Sequence, residues 1–161
     1  KDFSFSVFHS DGTATSIYSN VGDINDGKWH HVVGTWDGTT NANAFKIYVD
    51  NVATSTTSTK TDIRATSNVP TTIGAIPNTF TWAFDGNISN VQIWDTSLDS
   101  TQVETLYNNG VPLTTAIATD NLKGWWKLDN TDNYLQTYLN LRDNWVVRNL
   151  ITIPLIINLL L

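Results

Sequence analysis

The chain lacks cysteine and methionine and carries little charge, with charged residues making up 15% of its 161 positions. Without cysteine there is no disulfide framework, no thiolate metal site and no thiol nucleophile. Lys and Arg number 9 against 15 Asp and Glu, which gives a net charge of −6. Because no basic cluster is present to neutralise phosphates, nucleic acid is not an expected partner.

Glutamate and histidine are also scarce. Glu104 is the only glutamate, whereas retaining glycoside hydrolysis needs two carboxyl groups roughly 5 Å apart. No Asp-x-Asp pair lies on a predicted strand, and no G-x-S-x-G motif supports a serine nucleophile. His30 and His31 are neighbours on a predicted strand, so their side chains point to opposite faces and do not chelate one ion. The sequence therefore predicts a protein that is not an enzyme.

Long hydrophobic runs are missing except at the C-terminus. The apolar stretch 151–161 has eleven residues, whereas a membrane-spanning helix takes about 20, so no membrane span is predicted. Pro154 cannot donate a backbone hydrogen bond, which makes this segment an edge strand at best. Its exposed apolar surface is expected to pack against another chain or an open sheet edge, and so to support a homo-oligomer or assembly contact.

Alternating apolar and polar residues predict several β-strands and one helix. Phe45, Ile47 and Val49 form one apolar face, and with Val91 and Ile93 they are the predicted core. The apolar spacing slips by one within 84–94, which predicts a β-bulge near Ser89-Asn90. Asp99 is a good helix N-cap with Gln102 three residues later, and Gly110 is the expected stop.

Four blocks occur between Trp29 and Trp94 in a fixed order. They read W-H-H-V-V-G-T-W-D-G at 29–38, I-Y-V-D-N at 47–51, I-G at 73–74, and F-D-G-N-I followed by V-Q-I-W at 84–94. This order resembles the laminin-G-like, concanavalin A-like jelly-roll family over 3–113. The resemblance implies an all-β fold, an antiparallel β-sandwich (jelly roll) with one short helix near residues 100–109. It also implies that Trp29, Val32 and Val33 serve the core.

The chain divides into two predicted parts. Residues 1–116 form the laminin-G-like sandwich, which is expected to lack its N-terminal strands. Residues 117–161 form a C-terminal extension. It contains a strand at 122–129 that is similar to the opening strand of another such domain, followed by the apolar tail.

Calcium is the ion that the resemblance suggests, and no other cofactor is implied. Many members carry calcium at a sandwich edge, and hard oxygen ligands are what this ion takes. Asp23, Asp26 and Asp85 lie in loops beside strands and are the candidate ligands. Ser89, however, stands where the family usually has a carboxylate. The alternative role for each aspartate is a turn or cap residue.

Aromatic residues are the candidate ligand contacts, because sugar faces rich in C–H groups stack on aromatic rings. Trp82, Tyr48 and Trp36 are the candidates, with Trp82 in the most loop-like setting. Tyr48 is predicted either to be exposed or to face a second layer. The alternative is that tryptophans of a sandwich fill the core.

The predicted function is a non-catalytic recognition or adhesion module that binds a glycan or protein at a surface, in an extracellular setting. The alternative is a structural component of an assembly, such as a virion decoration or fibre protein at a virion surface. Both fit a low-charge chain that is rich in Ser, Thr and Asn. The apolar tail favours the assembly alternative, because it needs a partner surface.

Overall fold

The computed structural model describes residues 2–64, 72–74 and 84–128, and the backbone of residues 155–160. Over these residues the chain forms antiparallel β-sheets and one α-helix, which confirms the predicted fold class. The elements are β1 (Ser4–Phe8), β2 (Ala14–Tyr18), β3 (Trp29–Trp36), β4 (Phe45–Val49), β5 (Val52–Thr56), β6 (Asn87–Trp94), α1 (Ser100–Tyr107), β7 (Leu122–Trp126) and β8 (Leu155–Leu160).

Strands β1 and β2 form a two-stranded antiparallel sheet that covers one face of the larger sheet. Every second residue of β1 is partly buried, as the alternating sequence predicts. The Phe5 ring stacks on Phe45 with ring centroids 4.7 Å apart. Gly34 allows this approach, since a Cβ at that position would lie 2.6 Å from the Phe5 ring.

The larger sheet has six strands in the order β5-β4-β3-β8-β6-β7, with every neighbouring pair antiparallel. It is covered on both faces. One face of β3 and β4 packs against the β1–β2 hairpin, and the other packs against α1 and the segment before it. The five predicted core residues are confirmed as buried, with exposed fractions between 0% and 8%.

Helix α1 begins with the predicted capping box. Asp99 accepts a hydrogen bond from the Gln102 backbone N–H at 2.8 Å, and the Asp99 N–H donates to the Gln102 side chain at 3.0 Å. The helix ends earlier than predicted, because Asn108 takes the left-handed conformation that caps it, with φ of 42°. Asparagine tolerates this conformation, so Gly110 instead ends a further turn of 3₁₀ helix.

Strand β6 contains the β-bulge that the slip in its apolar spacing predicts. The pairing of β6 with β8 shifts register between Ser89 and Gln92. Asn90 lies inside this shift with φ of 55°. Beyond the bulge, Val91 and Ile93 pack with Trp126, whereas Trp94 packs against the helix side.

The C-terminal strand does not lie at an edge, and that prediction is wrong. Strand β8 pairs with β3 on one side and with β6 on the other. Pro154, on which that prediction rested, lies outside the described residues. Strand β7 lies at the sheet edge beside β6. Strands from before and after residue 116 thus share one sheet. The division of the chain into two parts at this residue stays a prediction.

None of the helices in the described ranges is long and apolar enough to cross a membrane.

Candidate functional site: a pocket at the start of β3

A pocket of about 460 Å³ lies where β3 begins, beside the β4–β5 turn and the end of α1. This volume is within the range of roughly 300–1,000 Å³ that small-molecule sites occupy. Aromatic, charged and hydroxyl-bearing side chains converge on it. The pocket is lined by Asp26, Lys28, Trp29, His30, His31, Asp50, Ser89, Tyr107, Gly110 and Pro112.

His30 is held between two carboxylates at the pocket wall. Its Nδ1 lies 2.7 Å from Oδ2 of Asp50, and its Nε2 lies 3.0 Å from Oδ1 of Asp26. A carboxylate only accepts hydrogen bonds, so this arrangement favours the protonated ring, in which both nitrogens donate. Burial opposes this charge, but the hydrogen bonds to Asp50 and Asp26 outweigh it and raise the pKa of His30.

Asp50 fixes the β4–β5 turn onto the start of β3. Asp50 and Asn51 have φ of 49° and 67°, as a two-residue hairpin turn of type I′ requires. The His31 N–H donates to Oδ1 of Asp50 at 2.9 Å, and the Asp50 N–H donates to the His31 carbonyl at 2.9 Å. The side chain of Asp50 therefore has a fixed position before any ligand arrives.

Asp26 is fixed in a similar way by the loop that precedes β3. Lys28 donates to it twice, from Nζ to Oδ2 at 2.7 Å and from its backbone N–H to Oδ1 at 3.0 Å. The Lys28 and His30 hydrogen bonds hold the pKa of Asp26 well below its usual range, and Asp26 in turn raises the pKa of Lys28.

His31 is the buried member of the histidine pair, with 4% of its surface exposed. Neither ring nitrogen has a hydrogen-bond partner among the residues that the structure describes. Burial lowers the pKa of His31 to about 4, although the charge of Asp50 acts in the opposite direction. The ring is therefore neutral at physiological pH. The Tyr107 ring lies beside it, with centroids 5.8 Å apart.

Trp29 is half exposed, with 50% of its surface accessible, and it lines the pocket. The prediction that Trp29 serves the core is therefore wrong. The physical reason is its place in β3. Trp29 is the first residue of the strand, and the continuously buried part of β3 begins only at His31. Its position at a strand end next to a loop was the available signal for an exposed aromatic residue.

The aromatic residues predicted as ligand contacts lie elsewhere. Trp36 and Tyr48 are 1% and 3% exposed, so both rings lie within the core. Trp36 donates from Nε1 to the Thr39 carbonyl at 2.9 Å. Tyr48 faces the second layer, where burial raises its pKa. Trp82 lies outside the described residues, and its stacking role stays a prediction.

The three aspartates predicted as calcium ligands are not grouped around one point. Asp26 lines the pocket, while Asp23 is exposed and accepts a hydrogen bond from the Asn25 N–H at 3.0 Å, as a turn residue does. Asp85 is also exposed. Within the described part of the chain, no three His, Cys, Asp or Glu side chains are close enough to hold a metal ion.

An antiparallel sandwich with a preformed pocket between strand ends and loops has the architecture of a binding module. A laminin G-type family model, described as the concanavalin A-like lectin/glucanases superfamily, matches residues 1–104. The chain belongs to this superfamily. Domains of this type are typically non-catalytic modules that bind carbohydrate or protein, and they are commonly extracellular. The comparisons with curated proteins and with solved structures gave no match.

Proposed function

We propose that the protein is a non-catalytic recognition module that binds a glycan at an extracellular surface, and that the pocket at the start of β3 is its binding site. The observation that carries this proposal is the half-exposed Trp29 ring beside the fixed carboxylates of Asp26 and Asp50. An aromatic face next to oriented hydrogen-bond acceptors is the combination that a sugar ring requires, since it has both C–H-rich faces and hydroxyl edges.

The carboxylates keep acceptor capacity for a ligand. Each oxygen of Asp50 receives one hydrogen bond from the protein, from the His31 N–H and from the His30 ring. A carboxylate oxygen accepts two, so both oxygens can accept a further hydrogen bond from a hydroxyl. Such bonds to an ionised acceptor are roughly twice as strong as neutral ones. Because Asp50 is already held in place, little side-chain entropy is lost on binding.

The same contacts favour binding over hydrolysis. A general acid must hold a proton near the working pH, whereas Lys28 and His30 keep Asp26 ionised. Glu104 lies exposed on α1 and does not line the pocket. These features support a site that recognises a sugar without cleaving it.

A glycan array with matched variants tests the proposal. Trp29→Ala should abolish binding, because it removes the only stacking face that we assign to the site. Tyr18→Ala is the control, since Tyr18 is 62% exposed on β2 and does not line the pocket. Equal loss of binding in both variants, or binding that survives Trp29→Ala, would place the site elsewhere.

The predicted assembly role is the alternative outcome of the same experiment. A chain that forms an obligate oligomer and binds no glycan on the array would favour a structural component that associates through residues 117–161. Size-exclusion chromatography with light scattering on the same sample separates the two results. A monomer that binds glycans supports the recognition module.

A further inference from the structure

The His31 ring is a buried polar group that no described residue satisfies by a hydrogen bond. It is 4% exposed, and both of its nitrogens lack hydrogen-bond partners among the described residues. A buried donor or acceptor without a partner loses its hydration and gains nothing in return. Such groups therefore call for an explanation, and His31 lines the same pocket as Trp29 and Asp50.

Tyr107 lies where it can control access to this ring. It comes from the last turn of α1, is partly exposed, and lines the pocket with its ring tilted by 42° against that of His31. The helix ends directly after it, at Asn108. Rotation of one side chain at the end of a helix is a small change, and it would open the His31 nitrogens to the pocket.

We infer that His31 is the specificity-determining residue of the pocket, and that Tyr107 moves aside when a neutral sugar ring enters and hydrogen-bonds to the His31 imidazole. This inference rests on the proposed glycan-binding function. A neutral imidazole offers one donor and one acceptor. A hydroxyl group can pair with either, so neighbouring hydroxyls of one sugar satisfy both nitrogens regardless of the tautomer.

The charges around His31 favour a neutral sugar over an acidic one. The carboxylate of Asp50 is held near the ring by the His31 N–H, and Asp26 also lines the pocket. A uronic acid would place a third carboxylate beside Asp50, whereas Lys28 and His30 already hydrogen-bond to the two aspartates. Like charges at such short range disfavour binding.

The test uses the whole chain with the methyl glycosides of glucose, galactose and mannose as neutral probes, and methyl glucuronoside as the acidic counterpart of the glucoside. His31→Phe keeps the ring shape and removes both nitrogens. We expect it to raise the melting temperature of the ligand-free protein and to weaken binding of the preferred neutral glycoside at least about tenfold. The imidazole ¹⁵N shifts of His31 should change when the glycoside is added to the wild type.

A double-mutant cycle identifies the part played by Tyr107. Tyr107→Ala exposes the His31 nitrogens to water, so the gain in melting temperature from His31→Phe should disappear in that background. If His31→Phe raised the melting temperature equally in the Tyr107→Ala background, Tyr107 would not be the residue that covers His31. The control is Tyr18→Ala, which should leave the gain unchanged.

The outcomes separate this inference from the proposed function. Binding that depends on Trp29 but is unaffected by His31→Phe, or a stronger preference for the glucuronoside, overturns the inference and leaves the function standing. A lower melting temperature for both His31→Phe and the smaller His31→Leu shows that the nitrogens are satisfied and overturns it as well. A wild type that binds no glycan removes both.

Discussion

Acidification should destabilise this protein through His31 in particular. In the unfolded chain a histidine titrates near its ordinary pKa of 6.5, whereas burial lowers the pKa of folded His31 to about 4. Between these two values the unfolded state binds more protons than the folded state, so the free energy of unfolding falls as the pH is lowered. The difference of about 2.5 pKa units, at about 1.36 kcal/mol each, corresponds to a loss of about 3 kcal/mol.

Urea unfolding of the wild type and of His31→Phe at a series of pH values measures this loss. Phenylalanine does not titrate, so the difference in unfolding free energy between the two proteins should widen by about 3 kcal/mol from pH 6.5 to pH 4. Carboxylates with lowered pKa, such as Asp26, contribute to acid unfolding in both proteins and cancel from the difference. Parallel stability curves for the two proteins would refute the burial of a neutral His31.

The contribution of the neighbouring His30 to stability depends on pH in the opposite direction, which gives a second prediction. Its folded pKa is raised, so the stability that it contributes is fully present below its ordinary value of 6.5 and is lost as the pH rises through the folded value. In His30→Gln the decline in stability above pH 6.5 should be smaller than in the wild type. If stability declined as steeply above pH 6.5 in the variant as in the wild type, Asp26 and Asp50 would not hold His30 in its charged form.

Three further changes have expected outcomes. Gly34→Ala should lower the unfolding free energy, measured by chemical denaturation, by about 1–3 kcal/mol, because the new Cβ meets the Phe5 ring. The same substitution in a Phe5→Ala background should have no such effect. Deletion of residues 155–161 should lower the melting temperature, because β3 and β6 each lose the paired strand between them; an equally stable truncated chain would show that β8 adds nothing. Calcium at millimolar concentration should leave the melting temperature unchanged, since the described residues offer no group of three metal-binding side chains, whereas an upward shift would restore the predicted aspartate site.

Local sequence patterns were sufficient to predict most of the individual strands and the helix. The alternation in β4, the slip in β6 and the capping box of α1 are all properties of residues within a few positions of one another. The local backbone geometry follows from such neighbours, because side-chain direction and cap chemistry are set at this range. The position of β8 was not readable in this way. Its two pairings, with β3 and with β6, join segments that are distant in the chain, so no pattern within residues 155–160 indicates them.

The sequence by itself determined the fold family, the strands and helix of the sandwich, and the absence of thiol chemistry and of a basic surface. Only the tertiary structure decided which polar residues meet. Asp26 and His30 lie four residues apart, but Asp50 reaches them only through the pairing of β3 with β4. It also decided that Trp29 is exposed while Trp36 and Tyr48 are buried. Alternation along a strand distinguishes its two faces, but whether a face is covered depends on segments distant in the chain, here α1 and the β1–β2 hairpin.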